Sequence, residues 1–337
     1  MAPRPRERDG GGLRVRTAFR GLAAVTLLAV TACGPGDAAP RQPGGPEVTV
    51  RSAVGEVTLP VTDTGIWALD EASALHLLSL GVRPTHAARN AYSGDEIVTA
   101  SYALLEEAGV ELVPPQRPEL VASAEPALIV GVDFPAHHEQ RAQLEQIAPV
   151  LLTDDNLPWQ EQLALLGAVT GHGEQADALT GRLMAQVRDT AGRIAASEHA
   201  GASVSVLSDC GDQACVYGSG RALGSLLAQL GFTRPQAQRD KGGEWGYDMV
   251  SRERLAEHTA DIVLSLVGSI GGDLVAGDSP LLDTSRAVTA PVDFGAWYGS
   301  GTLNLVWMLH DLEAILFGDG KTATAAEAGR LWSRLDG

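Results

Sequence analysis

The feature that most limits the possible folds is an uninterrupted helical pattern through residues 174–197. This segment, EQADALTGRLMAQVRDTAGRIAAS, places apolar residues at helical spacing, and its 24 residues would form a helix about 36 Å long. On both sides of it, short apolar strands alternate with amphipathic helices, which predicts mostly parallel sheets covered on both faces. We therefore predict an α/β protein in which two α/β lobes with mostly parallel sheets are joined by a single long backbone helix.

The domain boundaries follow from the same order of elements. At 337 residues the chain is longer than one typical core requires, which favours two domains. We predict an N-terminal α/β lobe over residues 48–158, connecting helices including the backbone helix over residues 159–198, and a C-terminal α/β lobe over residues 199–337.

One helix-then-strand phrase occurs twice. The stretch PELVASAEPALIVGV (118–132) returns as RERLAEHTADIVLSLV (252–267), which predicts that each lobe contains the same unit once. Glu119 and Glu253 then fall in the first turn of their helices. A carboxylate in that position is stabilised by the helix dipole by about 0.3 to 1 kcal/mol, and this alone is sufficient to explain the two residues.

The N-terminus has the properties of an export signal. Within residues 1–32, six arginines precede the apolar segment GLAAVTLLAVTA, which is too short for a typical membrane span. The segment ends in VTAC, which resembles the lipobox of bacterial lipoproteins, so Cys33 would be the lipidated first residue; an ordinary cleaved signal with a chance cysteine is the alternative. Residues 33–47, rich in Gly, Pro and Ala, are predicted to be a flexible tether.

The remaining two cysteines lie close together. Cys210 and Cys215 occur in SDCGDQACVYG, where a Gly-containing spacer would let the chain turn back on itself. Outside the cytoplasm such a pair can oxidise, so we favour a disulfide. Two free thiols, or half of a metal site, are the alternatives, although no second pair of Cys or His at zinc-like spacing supports a metal.

Four segments in order resemble the substrate-binding lipoproteins of bacterial ABC importers, in the subgroup that binds iron-siderophores, haem and cobalamin. The resemblance covers residues 48–337, but Glu125 and Ala127 stand where that family usually has Lys and Asp. It implies a class III periplasmic-binding-protein-like fold, and a receptor that captures a ligand between two lobes and delivers it to permease subunits. The segments are IWALDEASALHLLSLGVRP (66–84), PELVASAEPALIV (118–130), LGAVTGHGEQADAL (166–179) and VSRERLAEHTADIVL (250–264).

The same resemblance implies roles for particular residues. Glu119 and Glu253 would bind arginine pockets of the two permease subunits, since charge-assisted contacts at two separated points orient one protein over another. A ferric siderophore is the favoured ligand, with haem or cobalamin as the alternative. The protein would be a monomer anchored by lipid to the outer face of the cytoplasmic membrane.

Candidate ligand residues lie where open α/β sheets bind ligands, beyond the carboxyl ends of the strands. Aromatic residues are only 5% of the chain, yet several occur in these predicted loops, where they suit a flat or apolar ligand. Arg89 and Arg221 would pair with the residual negative charge of a chelate; each aromatic residue could instead pack in the core, and each arginine could lie in solvent. The candidates are Arg89, Tyr92, Phe134, Tyr217, Arg221, Trp245, Tyr247, Trp297 and Tyr298.

Other functional classes are poorly supported by the sequence. A formal net charge of −17 argues against nucleic-acid binding, which depends on clustered Lys and Arg. No G-x-S-x-G, H-E-x-x-H or Walker pattern occurs, so the chain is expected not to be an enzyme; an exported α/β enzyme with an unrecognised site is the alternative from a different class. His137 and His138 are expected to be solvated residues at a helix start, and neither a direct metal site nor a cofactor is predicted.

Overall fold

A computed structural model describes residues 45–89, 94–115, 117–276 and 281–336. The predicted signal peptide, Cys33 and most of the predicted tether lie outside these residues, as does Tyr92. Residues 43–337 form one compact unit, and it contains all the elements given below.

Twelve strands are found in the described residues, arranged as a hairpin and two five-stranded sheets. The hairpin and the first sheet consist of β1 (Glu47–Ser52), β2 (Gly55–Pro60), β3 (Ile66–Ala68), β4 (His86–Ala88), β5 (Glu111–Val113), β6 (Leu128–Val132) and β7 (Val150–Thr153). The second sheet consists of β8 (Val204–Cys210), β9 (Gln213–Tyr217), β10 (Tyr247–Ser251), β11 (Ile262–Val267) and β12 (Val288–Asp293).

Ten α-helices and three short 3-10 helices surround the strands in the described part of the chain. The α-helices are α1 (Glu71–Ser79), α2 (Glu96–Glu107), α3 (Pro118–Ala124), α4 (Pro135–Leu144), α5 (Trp159–Thr170), α6 (Gly173–Ala195), α7 (Arg221–Gln229), α8 (Phe294–Tyr298), α9 (Thr302–Phe317) and α10 (Ala328–Asp336). The 3-10 helices are Gln236–Gln238, Arg252–His258 and Ala325–Glu327.

The first sheet is entirely parallel, in the order β5-β4-β3-β6-β7. Its internal strand β6 is buried at every residue, as expected for a parallel strand that is covered by helices on both faces. Strands β1 and β2 pair antiparallel as a hairpin, which packs against the edge strand β7.

The second sheet is mixed, in the order β10-β9-β8-β11-β12. Strands β8, β11 and β12 are parallel, whereas β9 and β10 are antiparallel to their neighbours. The sequence pattern predicts loops at Tyr217 and Tyr247; this is wrong, because β9 and β10 pair directly and place these two residues opposite each other. The chain reverses at Gly211, whose φ of +81° lies in the left-handed region that a tight hairpin requires.

The repeated phrase occupies equivalent places in the two sheets. Its strand is β6 in the first sheet and β11 in the second, each the fourth strand in its order. The helical part differs, since Glu119 lies in the α-helix α3 but Glu253 lies in a 3-10 helix. Leu255 and His258 are the buried residues of that 3-10 helix, and their three-residue spacing fits its three residues per turn.

The long helix between the sheets is α6, which begins one residue earlier than the pattern predicts and ends at Ala195. Its buried residues recur at intervals of three and four, and they pack against α5, α7, α9 and α10. The C-terminal helix α10 also contacts α2 beside the first sheet, so the chain joins the two halves a second time. Among the described helices, none is long and apolar enough to cross a membrane.

Candidate functional site

A cavity of about 480 Å³ lies where the carboxyl ends of the parallel strands face the second sheet. All five strands of the first sheet contribute a residue at or just beyond their ends: Leu69, Arg89, Pro115, Val132 and Asp155. Tyr217, Tyr247, Ser269 and Phe294 line it from the second sheet. The cavity therefore lies where the ligand loops were expected, and its volume is within the range typical of small-molecule sites.

An aromatic cluster forms the wall of the cavity on the side of the second sheet. Tyr217, Tyr247 and Tyr298 have ring centroids 5.7 to 6.4 Å apart, and Phe294 stacks on Tyr298 at 5.0 Å. The hydroxyl of Tyr298 donates to the carbonyl oxygen of Trp245 at 2.8 Å, which ties the loop before β10 to α8. These rings present rigid faces at fixed positions, a surface suited to an apolar or flat ligand.

Arg221 lies beneath this wall and has a buried carboxylate partner. Its guanidinium forms an ion pair with Asp155, donates two hydrogen bonds to the carbonyl oxygen of Tyr298, and lies 3.8 Å from the centre of the Tyr298 ring. Ser300 also donates to Asp155, and Gln162 donates to Ser300 at 2.9 Å. Burial lowers the pKa of Arg221 from its ordinary value.

The backbone at Arg221 is unusual. Its φ is +57°, a conformation that non-glycine residues seldom adopt and that costs about 1 to 3 kcal/mol. The preceding Gly218 allows a close approach of the chain, because a Cβ there would stand 2.3 Å from the carbonyl oxygen of Asp240. Gly218 therefore allows the segment GSGRALG to pack closely against the chain at Asp240, and in this arrangement Arg221 reaches Asp155.

The first sheet contributes a polar wall centred on Asp70. This buried carboxylate caps α1 by accepting from the backbone amide of Ser73 at 2.7 Å, and it also accepts from the amide of Val132 at 2.9 Å. His137 lies beside it, with Nδ1 2.7 Å from the carbonyl oxygen of Val132 and 3.9 Å from Asp70. Phe134 lines the cavity next to His137, with ring centroids 5.9 Å apart.

Two aspartates form hydrogen bonds between the two halves of the protein, and one of them, Asp95, lines the cavity. Asp95, at the start of α2, accepts from the backbone amide and the hydroxyl of Ser269, each at 2.7 Å. In the opposite direction, Asp293 accepts from the amide of Glu96 at 2.7 Å and from that of Ala296 at 2.9 Å. Burial raises the pKa of Asp293 to about 6. Each half thus caps a segment of the other.

Arg89 lines the rim of the cavity rather than its floor. Its guanidinium forms a 3.0 Å ion pair with Glu106, its side chain is 44% exposed, and it lies 4.7 Å from the centre of the Tyr102 ring. From the sequence, Arg89 and Arg221 are expected to pair with an anionic ligand. In the structure each already has a carboxylate partner, which neither their spacing nor their neighbours in the sequence indicated.

Trp297 does not contact the cavity, so its proposed role as a ligand residue is wrong. It is fully buried, and its indole nitrogen donates to Asp311 at 2.9 Å. The short helix α8 turns Trp297 towards α9 and turns its neighbour Tyr298 towards the cavity. Asp311 also accepts from the backbone amide of Ala323 at 2.7 Å, and burial raises its pKa to about 7.

The structure also corrects the interpretation of the adjacent histidines. His138 is solvated, with a 62% exposed side chain, but the side chain of His137 is only 15% exposed and lines the cavity. The position of His137 shortly after the carboxyl end of β6 was the sequence feature that could have indicated its place in the cavity. The acidic residues of the cavity were also missed, because helix caps and strand ends rich in Asp occur in most α/β folds: Asp70, Glu71, Asp95 and Asp155.

Cys210 and Cys215 form a disulfide, with their Cα atoms 5.7 Å apart. The bond joins diagonal neighbours of the β8–β9 hairpin, and Cys215 lines the cavity. It therefore fixes the hairpin that carries Tyr217. Within the described residues, no group of three or more His, Cys, Asp or Glu side chains is placed to hold a metal ion.

Glu119 and Glu253 are exposed and lie outside the residues that line the cavity. The pKa of Glu253 lies below its ordinary value because the carboxylate accepts hydrogen bonds from its own backbone amide and from Ser251. Glu253 is therefore a fixed negative charge near neutral pH.

Comparison with known proteins shows the family. The sequence pattern of the periplasmic binding protein family matches residues 66–276, which include the whole first sheet and all of the second sheet except β12. The chain belongs to this family. Its members are binding proteins, in agreement with the expectation of a receptor rather than an enzyme.

A curated relative comes from Bacillus subtilis (strain 168) and is named as the probable siderophore-binding lipoprotein YfiY. It is 23% identical to this chain over 224 residues, which are 64% of this chain and 67% of the relative.

Solved structures share the fold. The FhuD protein from S. pseudintermedius superposes with a TM-score of 0.67 at 18% identity, covering 82% of this chain and 100% of that one. Staphylococcus aureus SirA complexed with staphyloferrin B superposes with a TM-score of 0.65 at 19% identity, covering 80% and 98% of the two chains. The predicted two-lobed α/β architecture is therefore confirmed.

Proposed function

We propose that the chain is the membrane-anchored binding component of an ABC importer and captures a ferric siderophore in the cavity between its two halves. The observation that carries this proposal is the aromatic-walled cavity at the strand ends of a protein of the periplasmic binding family. The names of the relatives agree with it, since one is named as a probable siderophore-binding lipoprotein and a solved structure of similar fold is named as the siderophore binding protein BauB.

The shape and chemistry of the cavity suit a ferric chelate. Its volume of about 480 Å³ accommodates a compact chelate, and the tyrosine faces match the apolar ligand backbone that wraps the metal. The iron would arrive inside its chelator as cargo, and the protein would need no cofactor of its own.

The test is a titration of the purified protein, with its intrinsic tryptophan fluorescence as the readout. Ferric hydroxamate and ferric catecholate siderophores are compared with haemin and cyanocobalamin, with correction for absorption by the coloured ligands. Saturable quenching by a ferric siderophore at sub-micromolar concentration is expected. Saturable binding only to haemin or cobalamin would exclude the siderophore, and turnover of a bound ligand would indicate an enzyme.

A pair of tryptophan variants locates the binding site. Trp245 lines the cavity, whereas Trp332 lies half-buried on α10 outside the cavity lining. Trp245→Phe should weaken siderophore binding and reduce the quenched signal, and Trp332→Phe should retain wild-type affinity. Equal affinities of the two variants and the wild type would place the ligand elsewhere.

Attachment to the membrane is part of the proposal. Lipidation at Cys33 would place a monomeric receptor on the outer face of the cytoplasmic membrane, and the Gly- and Pro-rich tether would let it reach the permease. The relative named as a lipoprotein supports this arrangement.

Docking on the permease would use Glu119 and Glu253. Because both are exposed and outside the cavity lining, replacing both by Ala should leave siderophore affinity within about threefold while impairing uptake. The matched control is Glu174→Ala with Glu198→Ala, which removes two exposed glutamates from the region of α6. Normal uptake with the first pair of substitutions, or an equal defect with the control pair, would contradict the docking role and leave Glu119 and Glu253 with only local stabilisation at their helix starts.

A further inference from the structure

We infer that the chelate this protein takes is neutral or cationic rather than anionic, because the cavity wall carries an excess of carboxylates and both of its guanidinium groups already have acidic partners. This inference rests on the proposed function and adds the charge class of the ligand.

The charge balance of the lining is negative. Four carboxylates line the cavity, and the two guanidinium groups that line it belong to Arg89 and Arg221, within the described ranges. Asp155 is paired with Arg221, whereas Asp70 and Asp95 have no guanidinium among their described partners; the imidazole of His137 lies 3.9 Å from Asp70. Residues 90–93, 116 and 277–280, which the structure does not describe, contain no Lys or Arg that could reverse this balance. The carboxylates are those of Asp70, Glu71, Asp95 and Asp155.

Neither arginine is available to an anion without losing a partner. Arg221 is buried against Asp155 and the carbonyl oxygen of Tyr298, so an anionic ligand would have to compete with a buried ion pair. Arg89 is partly exposed at the rim and paired with Glu106, where its attraction for a ligand is screened by water.

Two of the acids are satisfied by neutral donors rather than by cations. Asp70 accepts from two backbone amides, and Asp95 accepts from the amide and hydroxyl of Ser269. These dipoles hold the carboxylates in place without supplying a positive counter-charge. An anionic chelate brought into this low-dielectric space would be repelled more strongly than in water.

The rest of the chain acts in the same direction. A formal net charge of −17 creates a negative field that slows the approach of anions and favours that of cations. The aromatic and aliphatic remainder of the lining is neutral, so it accepts the methylene groups of a chelator whatever its charge. Charge, rather than shape, is thus the property by which the cavity would discriminate.

The test compares three complexes that share one ferric coordination core and differ only in the charge of the terminal group. The probes are the ferric complex of desferrioxamine B, which is singly positive, its N-acetyl derivative, which is neutral, and its N-succinyl derivative, which is singly negative. A triply negative ferric tris-catecholate is added as the extreme case. Affinities are measured by fluorescence titration at low and at moderate ionic strength.

The positive and neutral complexes should bind, with the negative one weaker by about tenfold and the tris-catecholate weaker still. The difference should shrink as salt is added, because screening reduces charge repulsion. Equal or tighter binding of the negative complexes would overturn this inference while leaving the siderophore receptor intact. Failure of every ferric chelate to bind would overturn the proposed function as well.

A matched pair of variants gives an independent measure. Glu106→Gln removes the partner of Arg89 at the rim, whereas Glu107→Gln removes the same charge from the next, exposed residue of α2, which is not in the cavity lining. The first variant should raise affinity for the succinylated complex by about threefold relative to the second. Equal affinities of the two variants for that complex would show that the pairing of Arg89 does not determine charge selectivity, and would contradict the inference.

Discussion

Replacing Arg221 by Met should destabilise the protein far more than an ordinary loss of a positive charge would. Arg221 is 5% exposed and pairs with Asp155, which is 9% exposed, so the substitution leaves a buried carboxylate without its cation. Removing one partner of such a pair costs about 3 to 5 kcal/mol. Asp155 retains only the hydrogen bond from Ser300 among its described contacts, which is too little to offset the loss.

A second substitution should recover much of that stability. With Asp155→Leu added to Arg221→Met, no charge remains buried at this position, and apolar replacements of a buried pair are often close to neutral. The carbonyl oxygen of Tyr298 still loses two hydrogen bonds, each worth about 1 kcal/mol net. The double variant should therefore lie about 1 to 2 kcal/mol below the wild type, between it and Arg221→Met.

The assay is urea unfolding at neutral pH, followed by far-ultraviolet circular dichroism, with stability compared at an unchanged slope. Arg254→Met is the matched control, because Arg254 forms its ion pair with Glu257 on the surface, where such pairs add little. The control should be indistinguishable from the wild type. The reasoning is refuted if Arg221→Met costs less than about 1 kcal/mol, or if the double variant is no more stable than the single one.

Three other predictions concern groups outside this pair. Opening the six-residue loop by Cys210→Ser with Cys215→Ser should cost about 2 kcal/mol in urea unfolding, and an unchanged midpoint would contradict this. Because the pKa of Asp293 is raised to about 6 from 3.8, the stability that protonated Asp293 adds is fully present below pH 3.8 and is lost as the pH rises through 6. The free energy of unfolding of Asp293→Asn, measured against pH, should lack this decline, and an identical decline in the variant would assign it to another group. Cys33→Ala should abolish labelling by radioactive palmitate, and persistent labelling would exclude this residue as the lipid site.

The elements with strong local patterns were predictable, and those defined by their neighbours were not. The buried run of β6 and the amphipathic α6 follow from hydrophobic periodicity. Strand β12 contains Pro291, which weakens a strand pattern, and it exists as an edge strand paired with β11 alone. Strand β10 is also an edge and is mostly exposed, so its pattern lacks the apolar run of a central strand.

The site shows the same division at the level of single residues. The loops at strand ends were predictable from topology, but the direction of each side chain was not. Trp297 and Tyr298 are adjacent, and only the packing of α8 on α9 decides which one faces the cavity. Likewise, the partner of Arg221 lies 66 residues earlier in the sequence, a separation at which no local pattern can identify it.

The contacts across the cavity bear on how the protein would release a ligand. Asp95 and Asp293 each cap a backbone segment on the opposite half, and Arg221 joins Asp155 at the floor. A wide opening of the halves would break all three contacts and expose a buried charge, so opening has a high free-energy cost. The single helix α6 also restricts hinge motion. Binding would then occur in a nearly preformed cavity, which lowers the entropic cost of capturing the ligand. Release would depend on a partner that separates the halves, and a permease that binds both halves could do this.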